Sequence, residues 1–320
     1  MPWDTPVPVV VWALICIPPG VRAILKPPAD KLSASLLALD TLLLNLYFAS
    51  TAPWAVVNYY LRALPFLLAL AVMARVILAS RRQPLIPQER RSRALIMILL
   101  VLVAPLAFLN ARALQSYRYP ESAGPSMVAL PPLKGGWHVF INGGNGLDGW
   151  GMNNAIRDWL GRQTGGNPAA AYGVDLVKLS AGGAMSRGIL PRDLHRYHTY
   201  DEQVYSPCLG EVVALEDSIA DVQPFGDSGS SVGNFIVLRC AQFYVTLANL
   251  RAHSITVQKG EIVAAGAPLG RVGNSMAHTF PHLHMHVTTG GYTGTVQPAP
   301  ILFETLFAFS HRARNDFYVR

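Results

Sequence analysis

Residues 281–287 read Pro281-His282-Leu283-His284-Met285-His286-Val287. Alternate residues of a β-strand share a face. Written as a strand, this stretch projects His282, His284 and His286 to one side, and Leu283, Met285 and Val287 to the other. An isolated histidine is usually structural, whereas three at alternate positions beside an apolar row form a candidate site. Neutral imidazoles two residues apart can reach one metal ion, and they suit zinc. Zinc also needs a further protein ligand, often a carboxylate brought from elsewhere. Asp175, in Tyr172-Gly173-Val174-Asp175, is the candidate.

Around this stretch the apolar runs are short and punctuated by turn residues. Val139–Ile141 stops at Asn142-Gly143-Gly144, Gln203–Ser206 stops at Pro207, and Glu211–Leu215 follows Gly210. Phe235–Cys240 and Phe243–Leu247 read as a hairpin. Ile255–Val257, Ile262–Ala264 and Leu269–Val272 are separated by Lys259-Gly260 and Gly266, and His282–Thr288 is the last alternating run. Such spacing predicts an all-β antiparallel domain, a sandwich or a barrel, over residues 137–300. Asn154–Leu160 is its one expected helix.

The first third is of a different kind. Charged residues are 14% of the chain, against roughly 25% in soluble domains. Apolar stretches at Val7–Leu25, Leu32–Ala52, Val57–Leu78 and Ala94–Leu109, the last extendable through Leu114, predict an α-helical membrane domain of about four spans over residues 1–118. Met1–Pro8 carries no Lys or Arg, so the first span is expected to be uncleaved. Pro18-Pro19-Gly20 interrupts that span, and Pro65 marks a kink at most. Asp40, Asn45 and Arg62 fall within spans and read as interhelical or interfacial contacts. Residues 119–136, rich in Pro, Gly and Ser, read as a linker, and residues 301–320 as a C-terminal tail.

The net charge of +7 is not spread evenly. Residues 1–119 hold 12 Lys/Arg and 4 Asp/Glu; residues 120–320 hold 14 and 15. The excess sits at Arg22, Lys26 and Lys31, and at Arg81, Arg82, Arg90, Arg91 and Arg93. These are the loops after spans one and three, and by the positive-inside rule they face the cytoplasm. Everything beyond Arg112 is then outside: periplasmic or extracellular, tethered to the cytoplasmic membrane. Nucleic acid is not an expected partner. In that compartment Cys208 and Cys240 are able to form a disulfide, and two buried free thiols fit the sequence nearly as well.

Over Ala171–Thr289 the segments AYGVDLV, VYSPCLGEVVAL, GNFIVLRC, VTLANL, VQKGEIVAAGAPLGRVGNS and PHLHMHV follow one another in an order that resembles the lysostaphin/LytM-type zinc metallopeptidases, peptidase family M23. INGGNGLDGWG and the multi-span start resemble a membrane-tethered branch of that family. The resemblance implies a duplicated hybrid motif of antiparallel strands, bound zinc, and action on peptidoglycan peptide cross-links. It implies Asp175 and His284 as metal ligands and His282 as the catalytic histidine that orients or deprotonates the zinc-bound water. Two positions depart from the pattern. Ala171 stands where the other histidine ligand belongs, and Asn249, in Leu247-Ala248-Asn249-Leu250, stands where a second catalytic histidine belongs. An asparagine side chain can donate to an oxyanion but cannot act as a general base. His286 occupies a position that is often acidic in the family. His286, His195, His198, His253 and His278 are the candidates to replace the missing ligand; His138 and His311 read as structural or exposed.

Two readings of function follow from the resemblance. One is a zinc endopeptidase of peptidoglycan with an altered ligand set. The other is a non-catalytic module that binds cell-wall peptides or regulates a partner hydrolase. Transport through the spans has little to support it, because they show no charged pathway and no inverted repeat.

Overall fold

The computed structural model describes residues 5–86, 90–148, 153, 166–226, 229–230, 232–276, 280–304, 309–310 and 317–319. The expected helix at Asn154–Leu160, and His278 and His311, lie outside these residues.

Five α-helices come first: α1 (Val7–Leu25), α2 (Lys31–Thr51), the short α3 (Trp54–Val57), α4 (Ala63–Ser80) and α5 (Arg90–Leu114). The stretches Val7–Leu25, Lys31–Thr51, Tyr59–Ser80 and Ser92–Tyr117 are long and apolar enough to cross a membrane, by length and composition. The Asp30 carboxylate caps α2 by accepting from Ser33 N–H at 2.8 Å. Contrary to expectation, Pro18-Pro19-Gly20 does not interrupt α1, which runs through both prolines. Packing outweighs the two lost donors: at Gly20 the helices touch so closely that an added Cβ would stand 2.9 Å from Leu68 Cδ1 of α4. Pro65 falls in the first turn of α4, where its missing N–H would have had no intrahelical acceptor anyway. Asn45 joins α2 to α1, accepting from Trp12 Nε1 at 2.9 Å. Arg62 donates through Nε to the Ala49 carbonyl at 2.9 Å.

The strands are β1 (Met127–Ala129), β2 (Trp137–Asn142), β3 (Val174–Leu179), β4 (Gln203–Tyr205), β5 (Gly210–Glu216), β6 (Asn234–Cys240), β7 (Phe243–Leu250), β8 (Ile262–Val263), β9 (Pro268–Arg271), β10 (Leu283–Thr289), β11 (Gln297–Pro298), β12 (Ile301–Glu304), β13 (Phe309–Ser310) and β14 (Phe317–Val319). The large sheet runs β14-β2-β3-β10-β7-β6-β5-β8, with β11 on β10. All its pairings are antiparallel. β4 and β9 form a separate antiparallel ribbon, and β1 pairs with β12 in parallel. The expected antiparallel β domain is therefore present, with one parallel pair added.

The segment read as a linker contributes to this domain. Met127, Ala129 and Leu133 are buried in the main core. β12, from the segment read as a tail, buries Ile301 and Phe303 in the same core. Both strands are too short to show a period, so the Pro-rich composition hid them. Cys208 and Cys240 are joined in a disulfide, with Cα atoms 6.2 Å apart.

Each face of the sheet packs on a separate core. Phe140, Leu176, Ile236, Leu247, Leu283 and Met285 face the larger one. On the opposite face Val139, Ile141, Val177 and Leu179 pack against Met185, Tyr197 and Phe280, and against Ala55 and Val56 of α3. The connection between the second and third apolar helices thus completes a core of the β domain. Hydrogen bonds fasten it there. Tyr59 N–H donates to Gly183 O at 2.8 Å, Asn58 Nδ2 to Gly182 O at 2.8 Å, and Tyr60 OH to Ala181 O at 3.0 Å. Gly183 has φ +80°, and any Cβ there would stand 2.7 Å from the Tyr60 ring.

Candidate active site

β10 alternates as its sequence requires. Leu283, Met285 and Val287 are buried, and His284 and His286 are half-buried on the other face. β3 lies antiparallel beside it with Asp175 directly opposite His284. Cross-strand partners share a face, so the carboxylate and the imidazole meet: His284 Nδ1 is 2.6 Å from Asp175 Oδ1. His284 Nε2 is 2.9 Å from His286 Nδ1. A carboxylate can only accept. His284 therefore donates to Asp175 through Nδ1, and its Nε2 shares a hydrogen bond with His286 Nδ1. Burial first, then the neighbouring His284, pushes the His286 pKa down to about 3, against a smaller upward pull from Asp175. His286 is therefore neutral at physiological pH.

His282 is 6% exposed. Its Nδ1 is 2.9 Å from the Phe280 carbonyl, which fixes the ring and turns Nε2 toward Asp175 Oδ1, 3.9 Å away. Asn249 is fully buried and left-handed at φ 66°. It is the extra residue where the β6–β7 register shifts between Asn234 and Phe235, a β-bulge. Its Nδ2 donates to the His282 carbonyl at 2.9 Å, and its Oδ1 accepts from Met276 N–H at 3.2 Å. Both ends of the amide thus hold main chain around the histidine strand.

Ala171 is also fully buried. Its carbonyl accepts from Gly146 N–H at 2.8 Å. Asn153, which no motif or spacing singles out, sits at 0% exposure and directs Nδ2 at the carbonyls of Gly144, Ala171 and Gly173, at 2.6, 3.1 and 3.1 Å. It pins the turn before β3 against the sheet. Gly173 in that turn lies so near the site that a Cβ would be 3.2 Å from His286 Cβ and 3.3 Å from His284 Cε1. The remaining candidates lie in other surroundings. His195 is exposed and edge-on to Tyr200. Burial, then Arg187 and Lys178, lowers the His198 pKa. His253 is a left-handed turn residue donating its N–H to Asp217. His138 is fully buried on β2.

The donor set does not fit a catalytic zinc site. Such a site takes three protein ligands, which at zinc–ligand distances of about 2.0–2.2 Å stand roughly 3.3 Å apart in a tetrahedron. Asp175 Oδ1 and His284 Nδ1 are 2.6 Å apart, in direct hydrogen-bond contact. His286 lies against the opposite nitrogen of His284, so the three groups form a chain instead of converging on a point. Among the described residues no group of three His, Cys, Asp or Glu side chains is arranged to hold a metal ion. The side chain at Ala171, where the resemblance places a ligand, is a methyl group.

Residues 196–298 match the model of peptidase family M23. The match includes Asn249, His282, His284 and His286 and stops short of Ala171 and Asp175. No curated protein matches the sequence. Among solved structures, a zinc-containing peptidase from Vibrio cholerae is 19% identical, with a TM-score of 0.31 over 52% of this chain and 37% of that one. The catalytic domain of lysostaphin from Staphylococcus simulans is 19% identical, at 0.27 over 40% and 74%. Csd3 of Helicobacter pylori is 21% identical, at 0.22 over 34% and 26%. The chain thus spans well under two thirds of the Vibrio and Helicobacter proteins. These likenesses are low, and what ties the chain to a family is the match of residues 196–298 to the peptidase family M23 model.

Proposed function

We propose that this chain is an integral protein of the bacterial cytoplasmic membrane whose outward domain, built on the duplicated hybrid motif, binds peptidoglycan peptides without cleaving them. The membrane part rests on the four apolar helices and on the placement of basic residues in the loops after the first and third of them. The substrate class rests on the family, whose peptidases usually use zinc and act on the cell wall. The loss of hydrolysis rests on one observation. Both ring nitrogens of His284 are engaged in a row from Asp175 to His286, while a buried Ala171 supplies no third donor.

Each residue then has a role that needs no metal. Asp175 and His284, with side chains 17% and 19% exposed, present a polar edge able to hydrogen-bond peptide amides. His282, held by Phe280, extends that edge. Asn249 positions the strand that carries them. In a zinc-bearing relative the ion would polarise the scissile carbonyl and acidify a bound water, and no group among the described residues takes over that work. A domain of this kind can also present peptides to, or withhold them from, a partner hydrolase.

The test is made on the purified full chain. Zinc well below one per chain, no new amino groups released from peptidoglycan, and retention on insoluble peptidoglycan are the expected results. One zinc per chain that is lost in Asp175→Ala and His284→Ala, together with peptide release, would establish the zinc endopeptidase instead.

A further inference from the structure

We propose that a cavity between the outer end of the fourth apolar helix and the β domain binds the headgroup of a zwitterionic, primary-amine phospholipid. The phosphate would lie against Arg112 and Arg118, and the ammonium against Asp148. This inference rests on the membrane reading above and is independent of the histidine strand.

The cavity holds about 310 Å³, at the small end of ligand sites. Arg112 comes from the last turn of α5 and donates through Nη1 to Gln115 Oε1 at 2.5 Å. Arg118 lies just beyond the helix and is exposed. One buried side chain sets the opposite walls: Asn145 Nδ2 donates to the Arg118 carbonyl at 2.9 Å and to Asp148 Oδ2 at 3.3 Å. Tyr119 packs edge-on against Tyr172, with centroids 5.1 Å apart, and forms a firm side.

The charges select the ligand. Arg118 and Asp148 line one cavity yet form no ion pair among the described residues. Opposite charges that share a cavity without meeting suit a ligand that carries both. Guanidinium forks match phosphate oxygens, and a carboxylate takes an ammonium that can donate. A purely anionic headgroup leaves Asp148 opposed to it, and a choline ammonium has no N–H to give.

Position points to a lipid as the source. Leu114 is 62% exposed and Tyr117 39% exposed at this helix end. Aromatic residues next to exposed apolar ones mark the membrane–water boundary. A headgroup seated between Arg112 and Asp148 leaves its acyl chains running down past Leu114.

The experiment purifies the full chain from mixed vesicles of phosphatidylethanolamine, phosphatidylcholine and phosphatidylglycerol, and measures the retained lipid by mass spectrometry. Phosphatidylethanolamine should be enriched roughly tenfold over the other two, the worth of one charge-assisted hydrogen bond. Arg118→Gln and Asp148→Asn should each remove the enrichment while the melting temperature stays unchanged. Equal retention of all three lipids, preferred phosphatidylglycerol, or enrichment that survives both substitutions would overturn the proposal. Displacement of the lipid by an equal concentration of glycerophosphoethanolamine would overturn the lipid source in favour of a soluble phosphate ester. Carbonate washing separates the two readings. Release of the chain from membranes refutes the membrane reading, whereas a chain that stays membrane-bound without enrichment refutes only the headgroup site.

Discussion

Asp175 Oδ1 and His284 Nδ1 face each other at 2.6 Å across paired strands, as direct hydrogen-bond partners. For both to hold one zinc ion they would have to part, and a third donor would have to offset the lost bond. That third donor is what Ala171 fails to provide.

Ala171→His should therefore raise zinc affinity, measured by competition with a chromophoric chelator. Ala171 is completely buried beneath the Asn153 clamp, so the larger side chain should also destabilise the metal-free domain by about 1–3 kcal/mol through overpacking. No gain in affinity would show that the separation between Asp175 and His284 is fixed by the sheet.

Asn249 supports main chain on both sides of a bulge. Asn249→Ala removes two buried hydrogen bonds and forces a Cβ residue without a local hydrogen bond to adopt φ 66°. A loss of roughly 2–4 kcal/mol is expected in denaturant melts. Asn249→Gly keeps the backbone freedom and should cost less. Equal losses in the two variants would remove the backbone contribution.

The Cys208–Cys240 disulfide closes a loop with a sequence separation of 32, for which chain entropy predicts roughly 3–4 kcal/mol. Reduction, or replacement of both cysteines by serine, should lower the melting temperature accordingly. An unchanged temperature would locate the loop's stability in the β5–β6 pairing alone.

His138 is fully buried. Burial, and secondarily Lys178 opposite it, pushes its pKa down from 6.5 to about 4. The unfolded chain therefore binds a proton there at a higher pH than the native one. The neutral ring's contribution is fully present above about pH 6.5 and is lost as the pH falls toward 4, by roughly 3 kcal/mol in total. Melts between pH 7 and pH 4 should show this slope, and His138→Asn should flatten it.

The histidine row and its alternation are legible in the sequence because strand periodicity is a local rule. Asp175 is legible as a candidate because zinc sites often add a carboxylate to histidines, and the resemblance to family M23 points to the aspartate of Gly173-Val174-Asp175. What the sequence hides is main-chain support. Asn153 acts only on carbonyls that the fold gathers from Gly144, Ala171 and Gly173, and no spacing announces it. β1 and β12 are short strands paired across most of the domain, so composition alone makes them look like a linker and a tail. In α1 the opposite error arises: Pro18-Pro19 signals a break, but the fit of Gly20 against Leu68 holds the helix continuous.

The clasp of Asn58, Tyr59 and Tyr60 on residues 181–183, with Ala55 and Val56 sunk into the β domain, sets the working height of the histidine strand. A module hung on a flexible stalk would sweep through the wall and sample strands at many depths. This one is bolted to its base at a single elevation. On the membrane-bound, wall-binding function proposed above, only polymer lying immediately above the bilayer would come within its reach, and material further out would pass beyond it.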